Sequence, residues 1–320
     1  MEILKMIGQV VLLVLGFVFM IKGADVFVDG ASKIAVKCNI PAMIVGLTIV
    51  AIGTSAPEAA VSIKAALSPG GAGMTVGNVL GSNIMNILVI LGLTAIIAAL
   101  PIKKNTMRID IPFVIVVSVM MLCMGYFDGM LSRFDGVIFY VVFIAFLVYL
   151  IVSAKKGNCE DDSIEITEAD KTPKLILFII IGMAFVVLGS NLTVNAASYI
   201  AGKLGMTERL IGLTIVAFGT SLPELVTSCT AAKKGQTDIA IGNIVGSNIF
   251  NILFVAGTTM LITPVAFDKS FLIDGILAIV AAVMLWLFSF KNKKLTKPGG
   301  IVMLVVYAVY FAFIMYKNYV

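Results

Sequence analysis

The chain has no histidine, only four cysteines and one tryptophan, and just 13% of its 320 residues are charged. Without imidazole, zinc-dependent membrane proteolysis, haem ligation and histidine-based acid–base catalysis lose their usual side chain. Cys38, Cys123, Cys159 and Cys229 are widely separated and form no CxxC pair, which argues against zinc ligation and against a disulfide framework. Alternation is missing too: stretches such as residues 10–21 and 175–188 are apolar at every step. A transmembrane β-barrel would instead alternate apolar and polar side chains over about ten residues. What is present is hydrophobicity, 60% of residues with a mean hydropathy of +1.09, far outside ordinary soluble domains.

Apolar runs long enough to cross a bilayer, roughly 20 residues each, recur along the chain with charges gathered in the gaps. They predict an all-α integral membrane protein with ten transmembrane helices near 6–30, 42–67, 73–99, 109–126, 135–153, 174–202, 208–231, 238–262, 271–290 and 298–317. With both termini outside, inner segments carry fifteen Lys and Arg, among them Lys33, Lys103, Lys155 and Lys293, and outer segments seven. That is the bias retained on the cytoplasmic side, so both termini are expected to face out of a cell membrane. The net charge of +5 follows from this orientation and points to lipid, with no nucleic-acid partner and no obligate protein partner. Lys22 interrupts the first apolar run and has no assigned role. Because that run leads into Lys22-Gly23-Ala24-Asp25 and no small-residue cleavage site, it is expected to be retained.

The chain is written twice. Residues 46–67 align with 212–233 at a constant offset of 166, with 14 of 22 positions identical. The same offset places Gly16 on Gly182, Gly23 on Gly189, Asp25 on Asn191 and Asp29 on Asn195. After one deleted residue, 76–92 aligns with 241–257, with 10 of 17 identical. Each copy holds five expected spans, an odd number, so the second must enter the membrane from the opposite side. The expected organisation is therefore a five-helix repeat at 1–153, an acidic cytoplasmic linker at 154–173 and an inverted five-helix repeat at 174–320. Inverted repeats are typical of secondary transporters, whose sites lie near the midplane at the repeat interface. The linker acids, Glu160, Asp161, Asp162, Glu165, Glu168 and Asp170, are not spaced as an EF-hand and are read as solvated. Residues 68–73, Ser-Pro-Gly-Gly-Ala-Gly, are read as a turn.

Glu58 and Glu224 occupy equivalent positions deep in apolar segments, where an acid is costly and marks an ion path more often than a structural hydrogen bond. Each follows a proline, in Gly53-Thr54-Ser55-Ala56-Pro57-Glu58 and Gly219-Thr220-Ser221-Leu222-Pro223-Glu224. Proline lacks an N–H, so carbonyls near Gly53 and Gly219 lose helical partners and become candidate oxygen ligands. Thr54 shares a helix face with Glu58, and Thr220 with Glu224, with Ser55 and Ser221 beside them. Downstream, Asn78, Ser82 and Asn86 follow at i+4 spacing, as do Asn243, Ser247 and Asn251. Gly77 and Gly81, like Gly242 and Gly246, are spaced for close helix approach. The alternative to ion-facing oxygens is interhelical hydrogen-bonding glue, a reading that ranks second and has more weight for Asn78 and Asn243 than for the others. The centre so assembled holds carboxylate, hydroxyl, amide and carbonyl oxygens, a set for Ca2+ or Na+ and not for softer metals. Two fixed negative charges balance one Ca2+ or are shared among several Na+, which is a basis for exchange.

At these residues the chain resembles the sodium/calcium exchanger family of the calcium:cation antiporters, in its prokaryotic form without a regulatory domain. The two repeats of that family carry G-T-S-x-P-E and G-S-N-x-x-N segments, here within 46–92 and 212–257. The resemblance implies ten spans in two inverted halves, with Ca2+ and Na+ as transported substrates, no cofactor and no enzymatic activity. It implies a Ca2+ site of Glu58, Glu224 and the carbonyls of Thr54 and Thr220. For sodium it implies the carbonyls of Ala51 and Ala217 with Thr54, Ser55, Thr220, Ser221, Ser82, Ser247 and the glutamates. It also implies that the first and sixth helices slide across the other eight. Some members carry Asp where this chain has Asn251, in the branch that also requires K+; Asn here favours potassium independence. The alternatives are H+/Ca2+ antiport, with protons competing for the glutamates, and a cation channel on the same acidic constriction. An intramembrane aspartyl protease is the enzyme alternative, but Asp25 and Asp29 are placed at a helix end with no G-x-G-D motif.

Overall fold

The computed structural model describes residues 2–68, 73–156, 164, 166–168, 170–206, 215, 217–290 and 293–319. Helices run α1 Glu2–Lys37, α2 Ala42–Thr54, α3 Ala56–Leu67, α4 Gly73–Ile97, α5 Thr106–Asp128 and α6 Arg133–Lys156. They continue with α7 Thr172–Lys203, α8 Ala217–Thr220, α9 Leu222–Lys233, α10 Thr237–Ile262, α11 Phe271–Phe290 and α12 Lys297–Tyr319. Among the described residues, eight of these helices are long and apolar enough to cross a membrane, nine when the bent pair α2–α3 counts as one span. The start of the expected seventh span, most of the acidic linker, Cys159 and residues 69–72 lie outside the described residues.

Burial sorts the helices into centre and periphery. In their most apolar stretches α10 is 94% and α4 78% buried inside the protein, against 28% each for α1 and α7. Every residue of α10 from Ile239 to Phe250 is buried, so protein surrounds this helix on all sides and it carries polar as well as apolar side chains inward. Gly242 and Gly246 let it meet α2 backbone to backbone. A Cβ on Gly242 would lie 2.6 Å from the Met43 carbonyl, and one on Gly246 2.6 Å from that of Leu47. The expectation of equal close packing at Gly77 and Gly81 is corrected: a Cβ on Gly77 would meet only the Phe271 ring, at 3.5 Å, and one on Gly81 nothing within 4 Å, among the described residues.

The peripheral helices α1 and α7 form an antiparallel seam along glycines. A Cβ on Gly23 would lie 2.8 Å from the Gly182 carbonyl, and one on Gly189 2.6 Å from the Gly16 carbonyl. Without β-carbons the two backbones touch, and dispersion between them replaces the hydrophobic effect that lipid cannot provide. Asp25 and Asp29 lie inside α1, correcting their expected place at a helix end, because α1 extends to Lys37. Lys234, just after α9, reaches Asp29 Oδ1 at 2.7 Å and the Asp25 carbonyl at 3.0 Å, tying α1 to the end of α9.

Two short ladders, absent from the sequence reading, join the halves: β1 Leu100–Pro101 pairs with β4 Lys294–Leu295, and β2 Met130–Leu131 with β3 Val265–Ala266. Gly129 (φ +66°) ends α5 in the left-handed region and makes the turn into β2. Matched hydroxyls add further ties: Tyr149 on α6 donates to Asp110 on α5 at 3.2 Å, and Tyr310 on α12 to Asp274 on α11 at 2.7 Å.

At the described end of the linker, residues 166–168 are exposed as expected, but Asp170 is not. Asp170 is buried, its carboxylate 2.9 Å from Lys33 Nζ, while Lys37 donates to its carbonyl. The backbone N–H of Thr167 and then the Lys33 ammonium hold its carboxyl at about 2. That lies below the unfolded value of about 3.9, so the contact contributes fully above about pH 4 and is lost as pH falls through about 2. Asp170→Asn is expected to lower the melting temperature at pH 7, with the difference from wild type vanishing near pH 2 in a detergent-solution thermal scan. In the seam, Gly23→Val is expected to cost about 1–3 kcal/mol, because the added Cβ meets backbone that cannot turn aside; reversible unfolding in mixed micelles measures it.

Candidate cation site

The site begins with the two prolines. Pro57 and Pro223 open α3 and α9, and the residues before each helix leave helical geometry, Ser55 at φ −83°, ψ 6° and Ser221 at φ −88°, ψ 2°. The first of these breaks bends α2 against α3 by 49°. Pro223 cannot donate to Gly219, four residues back. The freed carbonyl is not left open, since Ser190 on α7 donates to it at 2.8 Å. Ala51, read from the resemblance as a carbonyl ligand, keeps a helical bond from Ser55 N–H at 3.0 Å. The backbone of Ala217 starts α8.

The breaks place Glu58 and Glu224 in the first turns of α3 and α9, where the helix dipole favours a carboxylate. Both are enclosed, at 1% and 0% exposure. Each is held by the serine of the other repeat: Ser55 Oγ donates to Glu224 Oε1 at 2.8 Å, and Ser221 Oγ to Glu58 Oε1 at 3.2 Å. Thr54 and Thr220 stand beside Glu224 and Glu58 respectively. Thr54 also donates to Asn243 Oδ1 at 2.9 Å, and the Asn243 amide donates to Ser228 at 2.9 Å. In the first repeat the Asn78 amide donates to Ser62 at 2.8 Å and to the Glu58 carbonyl at 3.2 Å. Asn78 and Asn243 thus use their N–H groups as ties between helices.

Further along α4 and α10, the i+4 spacing brings Asn86 and Asn251 onto the faces that carry Asn78 and Asn243. A π-turn begins at each, Asn86–Leu91 and Asn251–Ala256. The first packs against α9, the helix of Glu224, and the second against α3, the helix of Glu58. The amides of Asn86 and Asn251 donate across the repeats to Asn248 Oδ1 at 3.0 Å and Asn83 Oδ1 at 3.2 Å. Ser82 and Ser247 are buried on the same helices.

What distinguishes the two glutamates from the other described buried acids is a carboxylate oxygen without a partner. Among the described residues, Glu58 Oε2, Glu224 Oε2, Asn86 Oδ1, Asn251 Oδ1 and Ser247 Oγ are buried without a hydrogen-bond partner. An unpaired buried carboxylate oxygen is costly, and other buried acids avoid it. Asp135 takes the N–H and hydroxyl of Ser132, both at 2.7 Å, in a capping arrangement, and Asp110 takes Tyr149. No three Asp, Glu, His or Cys side chains cluster to hold a metal among the described residues. The charge available is that of two carboxylates within a shell of neutral oxygens, a set suited to a hard cation bound without permanence.

Sequence reasoning missed Asn83, Asn248, Ser62, Ser228 and Ser190. The first four are identical between repeats at offsets of 165 and 166, so the duplication itself marked them. Ser190 aligns with Ala24 and carried no such mark. Ser190→Ala strips the side-chain donor from the Gly219 carbonyl and is expected to cost about 1–3 kcal/mol, read as a lower melting temperature of the purified protein.

The family model for sodium/calcium exchanger proteins matches residues 8–152 and 174–316. CaxA of Alkalimonas amylolytica is 38% identical over 317 residues, 95% of this chain and 98% of that one. The sodium/calcium exchanger MaX1 of Methanosarcina acetivorans is 30% identical, covering 95% of this chain and 98% of its own. A solved structure of the sodium-calcium exchanger NCX_Mj superposes with a TM-score of 0.83 at 32% identity, over 96% of this chain and 99% of that one. These matches span both halves and both motif-bearing regions: the chain is a multi-pass membrane protein and belongs to the sodium/calcium exchanger family, cation antiporters whose substrates are Ca2+ and Na+.

Proposed function

We propose that this protein is a secondary active antiporter that exchanges Na+ for Ca2+ by alternating access through one midplane site, built from ten spans in two inverted five-helix repeats. The observation that carries the reading is the set of unpartnered oxygens on Glu58, Glu224, Asn86, Asn251 and Ser247, supplied in near-matched pairs by duplicated helices. A dication satisfies both carboxylates at once, while Na+ ions shared among the carboxyl, hydroxyl and amide oxygens do so in turn. The crossed serine bonds and the antiparallel pairing of α1 with α7 support an inverted repeat, since equivalent helices of such halves must run in opposite directions. Structures of NCX_Mj soaked with Na+, Ca2+ or Sr2+ describe extracellular ion exchange and induced binding-site occlusion in that protein.

The glycine seam supports motion of α1 and α7 as one body across the more buried α4 and α10, with Thr54, Thr220, Ser55, Ser221, Ser82 and Ser247 as ion-facing hydroxyls. The lysine and arginine distribution supports a cell-membrane location with both termini outside.

In proteoliposomes, Ca2+ uptake is expected to require an opposing Na+ gradient; equal uptake with choline in place of Na+ refutes the proposal. A pH gradient that drives uptake without Na+ decides for H+/Ca2+ antiport. Glu58→Ala and Glu224→Ala are each expected to abolish the flux, because one carboxylate leaves a dication half neutralised in a site of low dielectric. Uptake near the wild-type rate by either purified variant contradicts that role.

A further inference from the structure

The hydrogen bonds among four asparagines fix the rotation of two of them. The two ends of a carboxamide are nearly the same shape, but one accepts and the other donates. Asn83 Nδ2 lies 3.2 Å from the backbone carbonyl of Asn248, and Asn248 Nδ2 lies 3.4 Å from that of Asn83. A backbone carbonyl only accepts, so the amino end of each of these side chains is committed to it. Their Oδ1 atoms must then lie at the other end, where they receive the amino groups of Asn251 and Asn86 at 3.2 and 3.0 Å. With those amino groups used, Asn86 and Asn251 turn their Oδ1 atoms the opposite way, and both oxygens are buried without a partner among the described residues.

We infer that Asn83 and Asn248 are positioning residues that set the acceptor ends of Asn251 and Asn86 toward the transported cation, a role that rests on the antiport reading above. A flipped amide would aim N–H groups at a cation and repel it. A carboxylate at the same place would offer oxygen in either rotation and need no such support. The choice of Asn at 251 therefore creates a requirement that Asn83 meets, and the same holds for Asn86 and Asn248.

The test is a double-substitution cycle read by binding, with radioactive Ca2+ in equilibrium dialysis against purified protein in Na+-free detergent solution. Asn83→Leu is expected to raise the half-saturating Ca2+ concentration by at least about tenfold in the wild-type background, the scale seen for residues that orient metal ligands. In an Asn251→Asp background, the same substitution is expected to change it by less than about twofold, because the two effects are then coupled. Equal losses in both backgrounds mean that Asn83 only packs α4 on α10, and overturn the inference. Where Asn83→Leu does not yield folded protein, Asn248→Leu with and without Asn86→Asp runs the equivalent cycle, and the same two outcomes decide. Absence of Ca2+ binding by the wild-type protein removes the antiport reading itself, a result separate from failure of the cycle.

Discussion

Two carboxylates enclosed in an apolar bundle are the constraint around which the other features are arranged. At the centre of a bilayer an ionised acid costs about 3 kcal/mol even on insertion scales, so a fold that keeps two must satisfy them or leave them for a ligand. Here each does both. One oxygen of Glu58 accepts from Ser221 and one of Glu224 from Ser55, while the second oxygen of each has no partner among the described residues. Because each serine comes from the opposite repeat, neither half completes its own acid. The crossing is possible because the chain leaves the helix at Ser55 and Ser221, just before Pro57 and Pro223 restart it.

The rest of the bundle divides between holding that centre and enclosing it. α4 and α10 hold it through amides: Asn78 and Asn243 tie it to neighbouring serines, and Asn83, Asn86, Asn248 and Asn251 bridge the repeats. These helices are tightly specified because a buried amide tolerates few geometries without losing a partner. α1 and α7 meet along glycine backbones, where contact is dispersion and little else, and Lys234 ties α1 to the end of α9 through Asp29 and Asp25. A seam of that kind is stiff within the pair and makes fewer polar demands on what lies beneath it.

Much of this was legible before any coordinates. Glu58 and Glu224 stood out because acids in apolar runs are expensive, and their duplication made coincidence untenable. The helix count was less secure, since a broken span such as α2–α3 and a neighbouring one partly outside the described residues do not register as single long helices. Gly77 and Gly81 matched Gly242 and Gly246 in sequence yet differ in their surroundings, because identity between repeats does not require both copies to sit against the same neighbour in one conformation. Asp170 read as solvated from its acidic surroundings, but Lys33 and Lys37 on the long first helix reach it.

The sequence alone determined that the chain lives in lipid, that it is a duplication, and which paired oxygen-bearing residues stand in apolar segments where they are costly. Those properties are local or periodic, set by composition, spacing and the transfer cost of charge. Only the tertiary structure decided which hydroxyl serves which acid, that Ser190 closes the carbonyl freed by Pro223, and which amide ends of the asparagines are bonded across the repeats. Such pairings depend on the relative placement of helices more than a hundred residues apart in the chain, and a hydrogen bond is directional over a few tenths of an ångström, a precision that no one-dimensional pattern carries.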